Sequence, residues 1–200
     1  MALPGEFRND KVTAVEKAVQ NLSAQQLAAL PPLDDGDLRL FGTIVQHFGF
    51  IDLNLRRAVE IFYIAKRLPE LASKAFPNQQ DGALTDVLIE VVEAMERGAE
   101  PVATVDQLRA IAQCRNFRNL VVHSAAKRFP GADVFVFASK NDRDARKTLG
   151  RTLPQHRVQM AVAGRGEFYT MAKGLGELQT WLAMKVPEWD LRYLSQPPKA

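Results

Sequence analysis

Hydrophobic side chains recur every three or four positions along most of the chain, which is the spacing of one face of an α-helix. The pattern predicts a first helix that begins after a cap at Asn9 or Asp10 and fades before Pro31. A longer helix is predicted from about Leu38 to Leu68, and Pro69 ends or kinks it. Its expected inward face consists of Phe41, Ile44, Phe48, Leu55, Val59 and Phe62.

Three further helices are predicted from the same spacing and from capping residues. Thr85 opens a short acidic helix that stops at Gly98, and Thr104 opens another that runs to about Arg128. The last helix is predicted from about Gly166 to Lys185.

The pattern changes between Asp133 and Ser139, where consecutive valine and phenylalanine residues form a β-prone run. A weaker strand candidate at residues 158–162 could pair with it and leave a basic connection between the two. We therefore expect a mainly α fold, a helical bundle in one domain over residues 1–200. A small two-stranded β insertion at about residues 132–163 precedes the last helix, and the tail at residues 195–200 is expected to be frayed.

Composition narrows the class of protein. The chain has 200 residues, of which 46% are hydrophobic and 24% charged, so it can bury a core and is not disordered as a whole. The single cysteine, Cys114, cannot form an internal disulfide, and the first ten residues do not resemble a secretion signal. No apolar run reaches the roughly 18 residues of a membrane span. We expect a cytoplasmic protein with no membrane partner.

The charge is unevenly distributed although the net charge is only +3. Between Arg115 and Arg157 the chain carries seven arginines and three lysines against three aspartates, so the remainder is acidic. This distribution predicts an anionic partner for the basic segment. A solvated basic loop is the alternative.

Positions 115, 119, 123 and 127 fall along one stripe of the helix predicted from Thr104 to Arg128, because residues four apart lie one turn above each other. They hold Arg115, Asn119, His123 and Lys127, each of which can donate a hydrogen bond to an anion. The stripe predicts a phosphate-facing surface, and an ordinary solvent-exposed face is the alternative.

Arg118 lies on a different, apolar stripe of the same helix, between Cys114 and Val121. Burying an unpaired guanidinium costs several kcal/mol. Asp52 is likewise a charged residue on an expected apolar face, the inward face of the helix predicted from about Leu38 to Leu68. We therefore expect an ion pair between Asp52 and Arg118 that aims the free edge of the guanidinium at the site. A buried pair without a chemical role is the alternative.

The segment Arg118-Asn119-Leu120-Val121-Val122-His123 resembles the motif of HEPN domains (higher eukaryotes and prokaryotes nucleotide-binding). That motif consists of an arginine, four to six residues and a histidine, often with a polar residue directly after the arginine. The resemblance covers about residues 38–128 and the last helix. It implies an α-helical bundle that cleaves RNA without a metal ion or cofactor, by attack of a ribose 2′-hydroxyl that leaves a cyclic phosphate.

The same resemblance implies roles for the motif residues. His123 would move a proton, Arg118 would hold the phosphate oxygens, and Asn119 would orient the imidazole or bind the phosphate. HEPN domains commonly pair their motif helices, so a homodimer with a composite cleft is implied. The basic residues expected to contact RNA are Arg115, Lys127, Arg128, Lys140, Arg143, Arg146 and Lys147.

Other chemistries find less support in the sequence. The three histidines, His47, His123 and His156, lie on different predicted elements, so no metal site is expected. One alternative function is a HEPN-like module that binds RNA or a protein without cutting, such as the regulatory half of a toxin–antitoxin or defence system with an antitoxin partner. Another is a docking protein that uses its acidic helix at Asp86–Glu96 and its basic loop.

Overall fold

The computed structural model describes residues 10–76, 78, 81–95, 99–139 and 159–195. Within these ranges the chain forms seven helices and a three-stranded antiparallel sheet. The helices are α1 (Asp10–Gln20), α2 (Ala24–Ala28), α3 (Asp35–Ile64), α4 (Glu70–Ala75), α5 (Asp81–Met95), α6 (Ala99–His123) and α7 (Arg165–Tyr193). The strands are β1 (Ala125–Arg128), β2 (Val134–Ser139) and β3 (Gln159–Gly164). The prediction of a mainly α fold with a small sheet before the last helix is confirmed.

Helix α3 begins earlier than the apolar pattern indicates because two aspartates cap it. The backbone N–H of Asp37 donates to Oδ1 of Asp34 at 2.8 Å, and the N–H of Asp34 donates to Oδ2 of Asp37 at 3.1 Å. This reciprocal arrangement satisfies two donors that a helix start leaves unpaired. At the other end, Lys66 adopts a φ of 54° and the N–H of Arg67 donates to the carbonyl of Phe62.

The sequence pattern missed the short helices α2 and α4 and the strand β1. The residues of β1 were predicted as the end of a helix, but α6 stops at His123, where the N–H of Ser124 closes the last turn on the carbonyl of Leu120. β1 then pairs with β2 from Ala125 opposite Ala138 to Arg128 opposite Phe135. The sheet therefore has three strands in the order β1-β2-β3, where the sequence predicted two.

Both faces of β2 are buried, which explains its uninterrupted apolar sequence. Phe135 and Phe137 point to one face, where their rings lie within 5.0–5.8 Å of Phe41 on α3 and Phe168 on α7. On the other face, Val134 and Val136 join Val162 of β3 in a cluster with three valines of α1. The register of β2 on β3 runs from Val134 opposite Gly164 to Ser139 opposite Gln159.

The chain divides into two compact units. The first consists of Met1–Val45 with Asn116–Ala172 and holds the sheet and the phenylalanine cluster. The second consists of Gln46–Arg115 with Lys173–Ala200, and its core includes the rings of Phe62 and Trp189, whose centroids are 5.4 Å apart. The prediction of a single domain stays a prediction. Among the ranges given above, no helix is long and apolar enough to span a bilayer.

Candidate functional site

The last two turns of α6 carry the three motif residues, and all three belong to the first unit. His123 is the final residue of the helix and is exposed, as is Asn119 one turn earlier, whereas Arg118 is half-buried. Residues four apart share a side of a helix, so Asn119 and His123 face the same way, and Arg118 lies about 140° around the axis from His123.

Arg118 contacts an amide, not a carboxylate. Its Nη1 donates to Oδ1 of Asn119 at 3.3 Å, and its Nε is buried without a hydrogen-bond partner. In the part of the chain that the structure describes, no aspartate or glutamate forms an ion pair with Arg118. Its positive charge is therefore not neutralised within that part of the protein.

The predicted pair between Asp52 and Arg118 is wrong, because Asp52 pairs with Arg115. Oδ1 of Asp52 lies 2.7 Å from Nη2 of Arg115, and the guanidinium carbon lies 5.7 Å from the ring centroid of Phe48. Arg115 lies one turn beyond Ile111, which is fully buried, so it continues the inward face of α6. Asp52 neutralises the charge of Arg115. Arg115 is therefore not the exposed cation that the expected RNA contact requires.

The four-residue stripe at positions 115, 119, 123 and 127 does not form either. Lys127 lies on β1, where strand geometry replaces helical spacing, and is half-buried. Arg128, the neighbouring residue expected to contact RNA, instead binds carboxylates. Its Nη1 lies 2.8 Å from Oδ2 of Asp34, and its Nη2 lies 3.0 Å from Oδ1 of Asp133.

Arg128 belongs to a group of charges that we call the Asp37 network, formed by Asp34, Asp37, Asp133, Arg128 and Arg165. Asp37 is fully buried, with Oδ1 2.9 Å from Nε of Arg165 and Oδ2 3.7 Å from Nη1 of Arg128. Sequence reasoning missed this network. The one local signal was the run Asp34-Asp35-Gly36-Asp37, which spans the start of α3.

The electrostatics of the Asp37 network follow from these contacts. The backbone N–H of Asp37 lowers the pKa of the Asp34 carboxyl, and Arg165 and Arg128 lower it further against the opposing effect of desolvation. Desolvation is the largest single effect on Arg165 and would lower its pKa, but the combined attraction of Asp37, Tyr169, Asp34 and Asp133 outweighs it and the pKa rises. A Cβ at Gly36 would lie 3.1 Å from Nη2 of Arg165, so glycine at this position permits the close approach of the guanidinium.

Four further residues expected to bind RNA, Lys140, Arg143, Arg146 and Lys147, lie outside the described residues, and so does His156. Their role stays a prediction. Of the remaining candidates, His47 is bound by Gln179, with Nδ1 and Oε1 2.6 Å apart. Burial raises the pKa of the Cys114 thiol, which favours the protonated form and disfavours a nucleophilic role. Among the side chains that are described, no three His, Cys, Asp or Glu residues are placed to hold a metal ion.

A cleft of about 500 Å³ lies in the first unit between α1, the turn from β1 to β2 and the start of α7. Glu167 lines it, and its Oε2 accepts a hydrogen bond from the N–H of Gly164 at 3.1 Å. Burial raises the pKa of Glu167, and the bond from Gly164 opposes that shift. Its Oε1 is buried and has no hydrogen-bond partner.

The last two turns of α6 therefore bring Arg118 into contact with Asn119 and place His123 one turn beyond Asn119. Comparison of the chain with models of protein families, with curated proteins and with solved structures found no match.

Proposed function

We propose that the protein is a metal-independent endoribonuclease of the HEPN type. The observation that carries this proposal is the contrast between Arg118 and the other arginines around it. Arg115, Arg128 and Arg165 each bind an aspartate, whereas Arg118 binds no carboxylate in the described chain and has an exposed histidine five residues later on the same helix. A guanidinium without a carboxylate partner in the described chain suits a phosphate ligand, and an exposed imidazole on the same helix suits proton transfer.

In the proposed reaction the 2′-hydroxyl of a ribose attacks the adjacent phosphorus, and the bond from phosphorus to the 5′-oxygen of the next nucleotide breaks. The products are a 2′,3′-cyclic phosphate and a free 5′-hydroxyl. The proton of the attacking hydroxyl leaves, and a proton reaches the departing oxygen, so the reaction needs one base and one acid. His123 serves one of these steps, because an imidazole exchanges protons near neutral pH.

Arg118 and Asn119 stabilise the phosphate. The planar guanidinium can bind two phosphate oxygens as negative charge develops on them. Oδ1 of Asn119 already accepts a hydrogen bond from Arg118, which orients the guanidinium and leaves the amide N–H groups of Asn119 to donate to the substrate.

A homodimer is part of the proposal, because one motif supplies one imidazole and the reaction needs two proton transfers. A second copy of the chain would bring a second His123 to the same phosphate. An antitoxin or other regulatory protein as a further partner stays a prediction.

The test is incubation of the purified protein with RNA in the presence of EDTA, followed by analysis of the product ends. Cleavage to 2′,3′-cyclic phosphates and 5′-hydroxyls, by a species with the mass of a dimer, is the expected result. Retention of uncut RNA would support a non-catalytic binding module instead. If RNA is neither cut nor retained, both RNA functions are contradicted and a protein-docking role is favoured.

A further inference from the structure

Arg128 lies five residues after His123, at the far end of the strand that follows the motif helix. We propose that Arg128 is a positioning residue for His123. It anchors β1 through the Asp37 network, and β1 in turn determines how the chain leaves α6. The role assigned to His123 rests on the proposed function, whereas the anchoring itself does not.

The chain between His123 and Arg128 has little freedom. Ser124 is the one residue between α6 and β1, and its N–H is bonded to the carbonyl of Leu120. Every residue from Ala125 to Arg128 is paired with β2. The backbone of His123 is therefore held by helical hydrogen bonds on one side and by the sheet on the other.

Burial of apolar surface contributes little to holding β1. Its sequence is Ala-Ala-Lys-Arg, with Ala125 exposed and the other three residues half-buried, and it is an edge strand of four residues. A short edge strand without a large apolar side chain is weakly held by its hydrogen bonds alone. The ion pairs of Arg128 supply the stabilisation of β1 that apolar packing does not.

Those ion pairs tie the end of β1 to two other segments of the first unit. The guanidinium of Arg128 reaches Asp34 and Asp37 at the start of α3 and Asp133 next to β2. Its backbone N–H also donates to the carbonyl of Pro31 at 3.0 Å. Both terminal nitrogens of Arg128 are therefore used inside the protein, and the charge is not offered to RNA.

The first test needs no enzymatic activity. Hydrogen exchange is measured at the amides of residues 120–128, together with the imidazole resonances of His123, in Arg128→Ala and Arg128→Lys. In Arg128→Ala we expect exchange at these amides to accelerate by about tenfold or more, because the strand opens locally, and the His123 resonances to shift. Arg128→Lys keeps the charge but offers one nitrogen in place of the fork, so an intermediate effect is expected.

Arg109→Ala is the matched control, because Arg109 lies on α6, the helix that carries His123, and forms its ion pairs with Glu93 and Asp106 on the surface. It should leave exchange at residues 120–128 unchanged. If Arg128→Ala does not fold, Asp133→Asn weakens the same anchor at an exposed partner and should accelerate exchange in the same segment by a smaller factor. Unchanged exchange and unchanged His123 resonances in the folded variant would overturn the proposal.

The second test uses RNA cleavage. Loss of positioning should lower kcat in Arg128→Ala by up to about 100-fold and leave KM and its salt dependence as in the wild type. A raised KM with a flatter salt dependence would instead make Arg128 an RNA ligand and overturn the proposal. If the wild-type protein does not cleave RNA, the proposed function fails, and the exchange and resonance measurements still decide whether Arg128 holds His123.

Discussion

Nη2 of Arg115 lies 2.7 Å from Oδ1 of Asp52, and the two side chains are only 15% and 14% exposed. The pair joins α6 to α3 within the second unit. Breaking such a pair leaves one charge buried without a partner, which costs more than the pair itself contributes.

Asp52→Ala is therefore expected to lower the free energy of unfolding by about 3 kcal/mol, measured by urea denaturation. Arg57→Ala is the matched control, because the pair of Arg57 with Asp190 is longer at 3.8 Å and its side chains are 60% and 39% exposed. That control should be destabilised by less than about 1 kcal/mol. If Asp52→Ala and Arg57→Ala are destabilised equally, burial of the pair between Asp52 and Arg115 does not contribute to stability.

Arg118→Ala is expected to lower RNA cleavage strongly and to change the free energy of unfolding only slightly. Because Arg118 has no carboxylate partner in the described chain, its removal strands no buried charge, and the free energy of unfolding should change by less than about 1 kcal/mol. RNA cleavage should fall by at least about 100-fold, since the variant has no donor at this position for the developing phosphate charge. A large drop in stability with retained cleavage would assign Arg118 a structural role.

His123→Ala should abolish cleavage and leave RNA affinity and thermal stability nearly unchanged. A proton-transfer group contributes about 10²–10⁴-fold to the rate and little to ground-state binding. His47→Ala is the matched control, because His47 is held by Gln179 in the second unit and is not a motif residue. Single-turnover rates at saturating RNA distinguish the two variants. Parallel loss of binding and cleavage in His123→Ala would contradict the role given to its imidazole.

Simultaneous neutralisation of Lys140, Arg143, Arg146 and Lys147 should weaken RNA binding without changing turnover at saturation. The slope of log affinity against log salt should flatten by about 0.7 for each phosphate of a single strand that the variant no longer neutralises. Side chains that bind phosphates far from the cleaved bond hold ground state and transition state alike, so their removal affects KM and not kcat.

A matched control for the basic segment removes the same number of charges from exposed sites elsewhere. The substitutions are Lys17→Gln, Lys66→Gln, Arg67→Gln and Lys173→Gln. The control should retain the wild-type salt slope. An unchanged slope in the variant of residues 140–147 would make that segment a solvated loop or a protein-docking face.

Glu167→Gln should change how stability depends on pH. The pKa of Glu167 is raised above its ordinary value of 4.5, so between that value and the raised one the folded chain binds more protons than the unfolded chain. The contribution of Glu167 to stability is therefore present below pH 4.5 and is lost as the pH rises through the raised pKa. Glutamine does not ionise, so the stability of Glu167→Gln lacks this decrease with rising pH.

Urea denaturation at pH 4 and at pH 7 tests this sign. The stability of Glu167→Gln relative to the wild type should increase from the lower to the higher pH. Glu177→Gln, an exposed position on the same helix, should show no such change. A difference between Glu167→Gln and wild type that does not vary with pH would contradict the raised pKa.

The apolar pattern alone determined most of the elements, because each depends on local spacing. The valines of α1, the inward face of α3 and the continuous run at Val134–Phe137 could all be identified without knowing what they pack against. The motif residues Arg118, Asn119 and His123 were identified through the resemblance of this short segment to the HEPN motif, which needs only local sequence because they lie within six positions of one another. Their role in RNA cleavage stays a prediction.

Tertiary structure decided the strand β1 and the partners of the arginines. Four residues without alternation form a strand because β2 supplies their hydrogen bonds, and that pairing has no local signal. Arg115 and Arg118 are three positions apart on α6, so spacing could not show which of them meets Asp52, 63 positions before Arg115. Arg128 likewise meets Asp34 across 94 positions. Ion pairs form between side chains that the fold brings within a few ångströms, and a sequence records residue types but not those distances.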